Sequence, residues 1–337
     1  MNIIYVEDCC EILDSKRVPI TASERKRGEY PYYGANGIQD YVSDYIFDDE
    51  LVLLAEDGGN FGSKERPIAY KVSGKCWVNN HAHVLKPRAC INVDYLCYAL
   101  MFYNVDGMVN GATRQKLTQA AMRKMQNPFR RMEEQVHIVD ELNRLVKIKE
   151  QRQQELILLD TLIKARFVEL FGDPIINSKG LETKELNEVL VLKAGDFTAA
   201  SDISVEPTEI NIYPCYGGNG IRGYVAEYNQ EGEYSLVGRQ GALSGNVQYA
   251  TGKFKNTEHA LLVKPIIQMN SIWLNQLLLN LDLKRYQTGA AQPGLSVKNL
   301  QEIHIIMVPI DEQRQFAEFV KQIDKSKVVV AFVTIKY

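Results

Sequence analysis

No Cys-x-x-Cys pair occurs in the 337 residues, although the chain has six cysteines (Cys9, Cys10, Cys76, Cys90, Cys97 and Cys215). Neither a zinc ligand set nor a disulfide framework follows, and the thiols are expected to be reduced and mostly buried. Long apolar runs are absent too: nothing approaches the roughly eighteen residues needed to cross a bilayer. The opening Met1-Asn2-Ile3-Ile4-Tyr5-Val6-Glu7-Asp8 carries acids where a secretory leader carries bases, so a cytoplasmic protein without membrane association is expected. An excess of positive charge is missing as well. With 39 Lys and Arg against 42 Asp and Glu the net charge is −3, so a nucleic-acid binder would have to segregate its charge. What remains, 45% hydrophobic and 24% charged residues, suits two domains with ordinary cores.

The run from residue 133 to 171 contains no Gly or Pro and is rich in helix formers. Apolar residues at Ile138, Leu142, Leu145, Leu156, Leu159, Ile163 and Leu170 follow heptad spacing. Lys149 and Arg152 interrupt the seam, which suits register control or a local opening. Gly172 stands at the C-cap position and Pro174 follows. A helix of this length, about 58 Å, is too long for one face of a compact domain and should pair with another helix. Leu142, Leu145, Leu156, Leu159, Ile163 and Leu170 are the candidate interface residues. The bland alternative is a solvated linker helix.

An internal repeat decides more than any motif. Tyr30-Pro31-Tyr32-Tyr33-Gly34-Ala35-Asn36-Gly37-Ile38 returns 183 residues later as Tyr213-Pro214-Cys215-Tyr216-Gly217-Gly218-Asn219-Gly220-Ile221. His81-Ala82 with Lys86-Pro87, Gly111-Ala112 with Leu117, and Glu134-Gln135 all return 178 residues later, as His259-Ala260 with Lys264-Pro265, Gly289-Ala290 with Leu295, and Glu312-Gln313. Each copy reads as a β-rich segment, then a helix (Val93–Tyr103, Ser271–Leu281), then a long helix opened by acids. The expected division is 1–132, 133–171, 172–310 and 311–337. Matching the first long helix would carry the second beyond residue 337. Its tail Val328–Ile335 is β-branched and a poor helix continuation. The far turns of the first helix, near Leu159–Leu170, are then expected to lack an intramolecular partner and to favour self-association.

These stretches resemble the specificity subunit of type I restriction-modification systems over nearly the whole chain. The residues that carry the likeness are Gly28–Ile38, Gly238-Arg239-Gln240-Gly241-Ala242-Leu243-Ser244-Gly245-Asn246, Thr257-Glu258-His259-Ala260, and the helix from Glu133-Glu134-Gln135 to Lys164–Gly172. The resemblance implies an α/β fold with a pseudo-two-fold internal repeat. Two target-recognition domains would be separated by long helices that form an antiparallel coiled coil. It implies a non-catalytic subunit that reads an asymmetric bipartite site in double-stranded DNA and docks methyltransferase (modification) and restriction subunits. S-adenosylmethionine, Mg and ATP would belong to those partners and no cofactor or metal to this chain. The short second helix and Arg131, where the second copy has Pro309, depart from the pattern. Half-sites read from one side of the duplex would lie roughly one turn, about 34 Å, apart.

Candidate readers lie in the polar loops of both copies, and where the copies differ, as at Gln39 against Arg222, a role in sequence reading is favoured. Asn36 and Gln39, against Asn219 and Arg222, flank the repeated glycine turn; amides suit adenine edges and guanidinium groups suit guanine. The glycines themselves read as structural turn residues. Thr113-Arg114-Gln115-Lys116, with Gln292 in the second copy, suits phosphate contact and base reading, or is a solvated loop. Arg239, Gln240, Ser244 and Asn246 stand opposite Glu56-Asp57-Gly58-Gly59-Asn60, whose acids either accept from cytosine or end a strand. Lys16-Arg17 and Arg25-Lys26-Arg27 form a phosphate clamp or a solvated charge run. In His81-x-His83 the second copy keeps only His259, which favours structural histidines over a metal pair. Asn127-Pro128-Phe129 lacks the second proline of the adenine-methyltransferase tetrad, and no glycine-rich cofactor loop, nuclease signature or Walker loop accompanies it. The alternatives, a methyltransferase or nuclease fragment or a structural coiled-coil adaptor, leave the repeated polar loops unexplained.

Overall fold

The computed structural model describes residues 2–111, 114–289 and 294–335, with side chains through Val330. It divides into two compact units, Met1–Ile148 and Lys149–Tyr337, and the division falls inside the long helix. The first unit builds one six-stranded sheet from β1 (Cys10–Ile12), β2 (Arg27–Gly34), β3 (Gly37–Val42), β4 (Phe47–Ala55), β5 (Ala69–Val78) and β6 (Ala82–Pro87). The spatial order is β1-β6-β4-β5-β2-β3. Every neighbouring pair is antiparallel except β2 with β5. Leu51 to Ala55 of β4 are completely buried because the strand is covered on both faces, as its unbroken apolar run requires. Val52 and Leu54 join the core with Leu96 and Leu100 of α1 (Val93–Met101), while Leu51 and Leu53 face Val72, Val78 and Val84.

The long helix α2 spans Met132–Phe171. The second unit then repeats the plan with β7 (Leu190–Ala194), β8 (Tyr213–Gly217), β9 (Gly220–Val225), β10 (Gln230–Gly238), β11 (Val247–Asn256) and β12 (Ala260–Pro265), followed by α3 (Ser271–Asn280) and α4 (Ile310–Ile335). Its strand order, β7-β12-β10-β11-β8-β9, is that of the first sheet element for element. Small two-stranded ribbons also recur, Ile3–Tyr5 with Gln126–Pro128 and Thr183–Glu185 with His304–Ile306. The duplication reaches side-chain detail. Tyr30 and Tyr45 meet at 5.1 Å with Lys75 Nζ 4.6 Å from the Tyr45 ring; Tyr213 and Tyr228 meet at 5.0 Å with Lys253 Nζ 4.8 Å from the Tyr228 ring.

The repeated Glu-Gln pair has a structural meaning that spacing alone does not show. Asn92 and Asn270 cap α1 and α3 with their side chains. Their own backbone N–H groups donate to Gln135 Oε1 (2.8 Å) and Gln313 Oε1 (2.9 Å). Gln135 Nε2 donates to Cys90 O and Arg130 O, and Gln313 Nε2 to Val308 O. Both glutamines are almost fully buried, so each long helix is clasped to its own unit by a carboxamide with both ends satisfied.

The helix ends correct three expectations. First, the buried seam near the end of α2 is Ile163, Phe167 and Phe171, whereas Leu170 is exposed. A straight helix drifts about 20° per heptad from a strict 3.5-residue repeat, so four heptads past Leu142 the inward position has moved on by nearly one residue. Second, these far turns are not short of a partner. Phe167 and Phe171 lie 5.5 and 5.6 Å from Phe316 of α4, and both also pack on Trp273. Lys327 Nζ reaches Asp160 Oδ1 at 2.7 Å, so the two helices run antiparallel, and Ile163 is consumed by the chain's own core. The expected reason for self-association there, a missing intramolecular partner, does not hold. Exposed apolar side chains of α2 include Leu145, Ile157, Leu158, Leu162, Val168 and Leu170, while Leu142, Leu156 and Leu159 are half-buried. Third, the β-branched tail continues α4 to Ile335. Extending an existing helix through valines costs only a few tenths of a kcal/mol per residue, and Val330 is buried.

Candidate nucleic-acid interface

Where β4 and β10 end, both units bring three loops onto one frame. Glu56 N donates to His81 O (2.9 Å) and Leu117 N to Glu56 O (2.7 Å); in the second unit Arg239 N donates to His259 O (3.0 Å) and Leu295 N to Arg239 O (2.8 Å). The hairpin turns join this frame. Asn36 Nδ2 donates to Gly58 O, and Gly218 packs against Gly238 and His259 O. Gly37 and Gly220 have φ of +107° and +101°, the positive values expected of the recurring turn glycines. The backbone frame is common and the side chains differ, an arrangement suited to reading different sequences.

In the first unit the residues brought together are Asn36, Gln39, Asp57, His81, Arg114 and Lys116. Asp57 Oδ1 accepts from His81 Nδ1 at 2.5 Å and from Arg114 Nη2 at 3.1 Å. Gln39 lies across Gly34 and its Oε1 accepts from Asn79 Nδ2. Gln115 is exposed, and its carbonyl accepts from Gly58 N. Asn60 turns away toward Pro67 O. In the second unit Asn219 Oδ1 accepts from Asn246 Nδ2, Gln240 Oε1 pairs with His259 Nδ1 at 3.1 Å, and Arg222 lies across Gly217 as Gln39 does across Gly34. Arg222 and Arg239 have no hydrogen-bonded partner for their guanidinium groups among the described residues. Thr113 and Gln292 lie outside the described residues.

Two candidates are corrected. Arg17 is no phosphate clamp: Nη1 donates to Glu56 Oε2 (2.6 Å) and Ala82 O (2.7 Å), Nε donates to Asp14 O, and the side chain is only 12% exposed. Lys16, its neighbour, is exposed. Ser244 is fully buried beneath Leu283–Gln287 and its carbonyl accepts from Gln287 Nε2, so it presents nothing to a ligand.

Arg17 belongs to a buried network that sequence reasoning missed. Asp14 accepts from His83 Nδ1 (2.6 Å), Val84 N and Gln119 Nε2, while Glu56 accepts from Arg17 and Lys116. Burial opposes ionisation of Asp14, but the bonds from His83, Val84 and Gln119 outweigh it and hold the carboxyl below its ordinary range. Burial likewise opposes ionisation of Glu56 and is outweighed by Arg17 and Lys116. Ligand atoms of Asp14, Glu56 and His83 lie within 4.8 Å of one another. The carboxylates are already neutralised by cationic side chains. His83 faces acceptors with both ring nitrogens, Nε2 lying 2.9 Å from Leu117 O, so this cluster is a structural lock and not a cation cradle. The signal for it in the sequence was His83 standing where the second copy has Leu261. Asn127, in the methyltransferase-like triplet, is fully buried in the N-terminal ribbon.

The comparisons agree with this geometry. The sequence model of the family described as "Type I restriction modification DNA specificity domain" matches residues 1–158 and 178–329. The chain is 43% identical over 141 residues to the type I restriction enzyme EcoprrI specificity subunit of Escherichia coli. It is 36% identical over 143 residues to a putative type I restriction enzyme specificity subunit of Haemophilus influenzae. Each match spans 42% of this chain but only 35% and 37% of those relatives. The type I restriction-modification S subunit of M. genitalium superposes with a TM-score of 0.57 at 15% identity, covering 99% of this chain and 94% of that one. A chain from work on complex assembly and conformational transition of the type I R-M system gives 0.55 at 14% identity, covering 99% and 93%. Among the described residues no helix is long and apolar enough to cross a membrane. With both of its repeats matched, the chain belongs to the type I restriction modification DNA specificity domain family.

Proposed function

We propose that this chain is the DNA-reading subunit of a type I restriction-modification complex. Residues 1–132 and 172–310 are its two target-recognition domains, and 133–171 with 311–337 are the helices through which methyltransferase and restriction subunits assemble. The chain performs no chemistry on DNA itself; methyl transfer, and the S-adenosylmethionine, Mg and ATP it and restriction need, reside in those partners. It acts in the cytoplasm on double-stranded DNA. The observation that carries this reading is the duplicated frame at the ends of β4 and β10, matched in two backbone hydrogen bonds and different in side chains, which suits two unlike half-sites. Base-edge contacts supply preference and surface cations such as Lys16 supply salt-dependent affinity.

Co-expression with the modification subunits tests the proposal, with methylated bases mapped across a genome. Methylation at one asymmetric bipartite sequence that appears only with this chain is the expected result. Methylation unchanged without it, or by the purified chain alone, refutes the reading.

A further inference from the structure

Resting on that reading, we infer that Asp57 is a positioning residue that aims Arg114 at a guanine in the half-site read by the first domain. The sequence leaves Arg114 in a loop fit equally for phosphate contact, base contact or solvent. The structure gives its side chain a fixed course. The segment is braced just after Arg114, Gly58 N donating to Gln115 O and Leu117 N to Glu56 O. Gly58 has φ of +63° and no Cβ, and the guanidinium lies over the space this leaves: a Cβ there would sit 3.4 Å from Arg114 Nε. Asp57 Oδ1 then takes one N–H of Nη2 at 3.1 Å.

Asp57 is itself held. His81 Nδ1 lies 2.5 Å from the same oxygen, and the Asp57 side chain is only 18% exposed, against 60% for Arg114. One guanidinium donor is thus spent on orientation, with Nη2 also 3.4 Å from His81 Nδ1, and the side chain stays largely exposed. A phosphate contact needs only charge, which a mobile Lys supplies. A planar fork restrained by a half-buried carboxylate suits bidentate pairing with guanine O6 and N7. The matched slot in the second domain holds Gln240 against His259, a carboxamide in place of the carboxylate, so the two half-sites should differ at the base pair served by this slot.

The test uses the full chain and a duplex library randomised across both half-sites, with wild type, Arg114→Ala, Arg114→Lys, Asp57→Ala and the double variant. Arg114→Ala is expected to lower the preference for guanine at one position of one half-site by roughly 5- to 150-fold, leaving the other half-site unchanged. Arg114→Lys should not restore it. Asp57→Ala is expected to lower the same preference on the order of 10-fold and to add nothing in the Arg114→Ala background. That dependence is one a merely structural role would not show. Loss that is equal for all sequences and reduces the salt slope makes Arg114 a phosphate contact and overturns the inference. So does an Asp57 effect that persists without Arg114, or a wild-type motif that Arg114→Ala leaves intact. A wild-type chain that enriches no motif overturns the DNA-reading function, and this assignment with it.

Discussion

Replacing Gln313 by Leu removes the clasp between α4 and the cap of α3 while keeping side-chain volume. Two backbone groups then lose their partner in an almost dry setting, the Asn270 N–H that donated at 2.9 Å and the Val308 carbonyl that accepted at 2.7 Å. Each orphaned group costs about 1–3 kcal/mol. Asn270 is half-buried and regains some solvent, so the net loss is about 3 kcal/mol. For a unit of this size that is a fall of roughly 6–12 °C in Tm. Calorimetry of the full chain reads the loss, and hydrogen exchange assigns it: the Asn270 amide and the first turn of α3 should open while α1 keeps its protection. Gln313→Glu is the sharper probe. Its carboxylate still accepts from Asn270 N–H but turns an acceptor toward Val308 O, so at neutral pH it should be at least as damaging. Protonation in acid restores a donor and part of the loss. A Gln313→Leu chain that melts within about 2 °C of wild type, with the α3 cap still protected, refutes the reasoning.

Arg17→Ala strands Glu56 and Asp14 without their buried cation and should cost about 3 kcal/mol. The salt slope of DNA binding should stay unchanged, and a slope reduced by about one unit would return Arg17 to the phosphate clamp. Asn127 has neither amide atom bonded among the described residues, and the second copy has the buried Ile305 at the matched ribbon position. Asn127→Leu should therefore stabilise the first unit by about 1–2 kcal/mol; a lower Tm refutes this. Asp14 and Glu56 titrate below the ordinary carboxyl range, so their contribution is complete above that range and is lost as pH falls through the lowered values. Below about pH 4 the Val84 and Leu117 amides should lose exchange protection before their counterparts Leu262 and Leu295 do. Equal acid sensitivity of both units would refute the assignment.

The duplication, the long helices and the turn glycines were legible because each is a local or periodic property. The order of elements follows from strands and helices spaced alike in both copies. Arg17 and Ser244 were misplaced for one cause, a partner supplied from far along the chain. Arg17 beside Lys16 reads as a surface basic pair, yet Glu56, 39 residues on, closes over it. Ser244 in a glycine-rich loop reads as exposed, yet the segment at Leu283–Gln287 covers it. At Leu170 the error was geometric: a strict heptad count was carried across four repeats of a nearly straight helix. Gln135 and Gln313 were visible as a repeat, but their work depends on Asn92 and Asn270, 43 residues away in each unit.

The two copies also differ in the side chains that a shared frame carries. Strand pairing puts Ala194 where the first unit has Asp14, Leu261 where it has His83, and Arg239 where it has Glu56. Exchanging a satisfied buried charge network for apolar packing is close to neutral in stability, so the copies diverge here without losing the fold. The exchange alters what is left for DNA. In the first unit Glu56 occupies Arg17 and Lys116; in the second no acid among the described residues occupies Arg239, half-buried on the same frame. A guanidinium in that position is free to take a base edge. Arg239→Ala should therefore relax one position of the second half-site, by about 1–3 kcal/mol of discrimination, and leave the first half-site's preference intact. Selection from the randomised duplex library reads both half-sites in one experiment. An equal loss for unrelated sequences would make Arg239 a phosphate contact and would leave the divergence of the two slots without a role in reading.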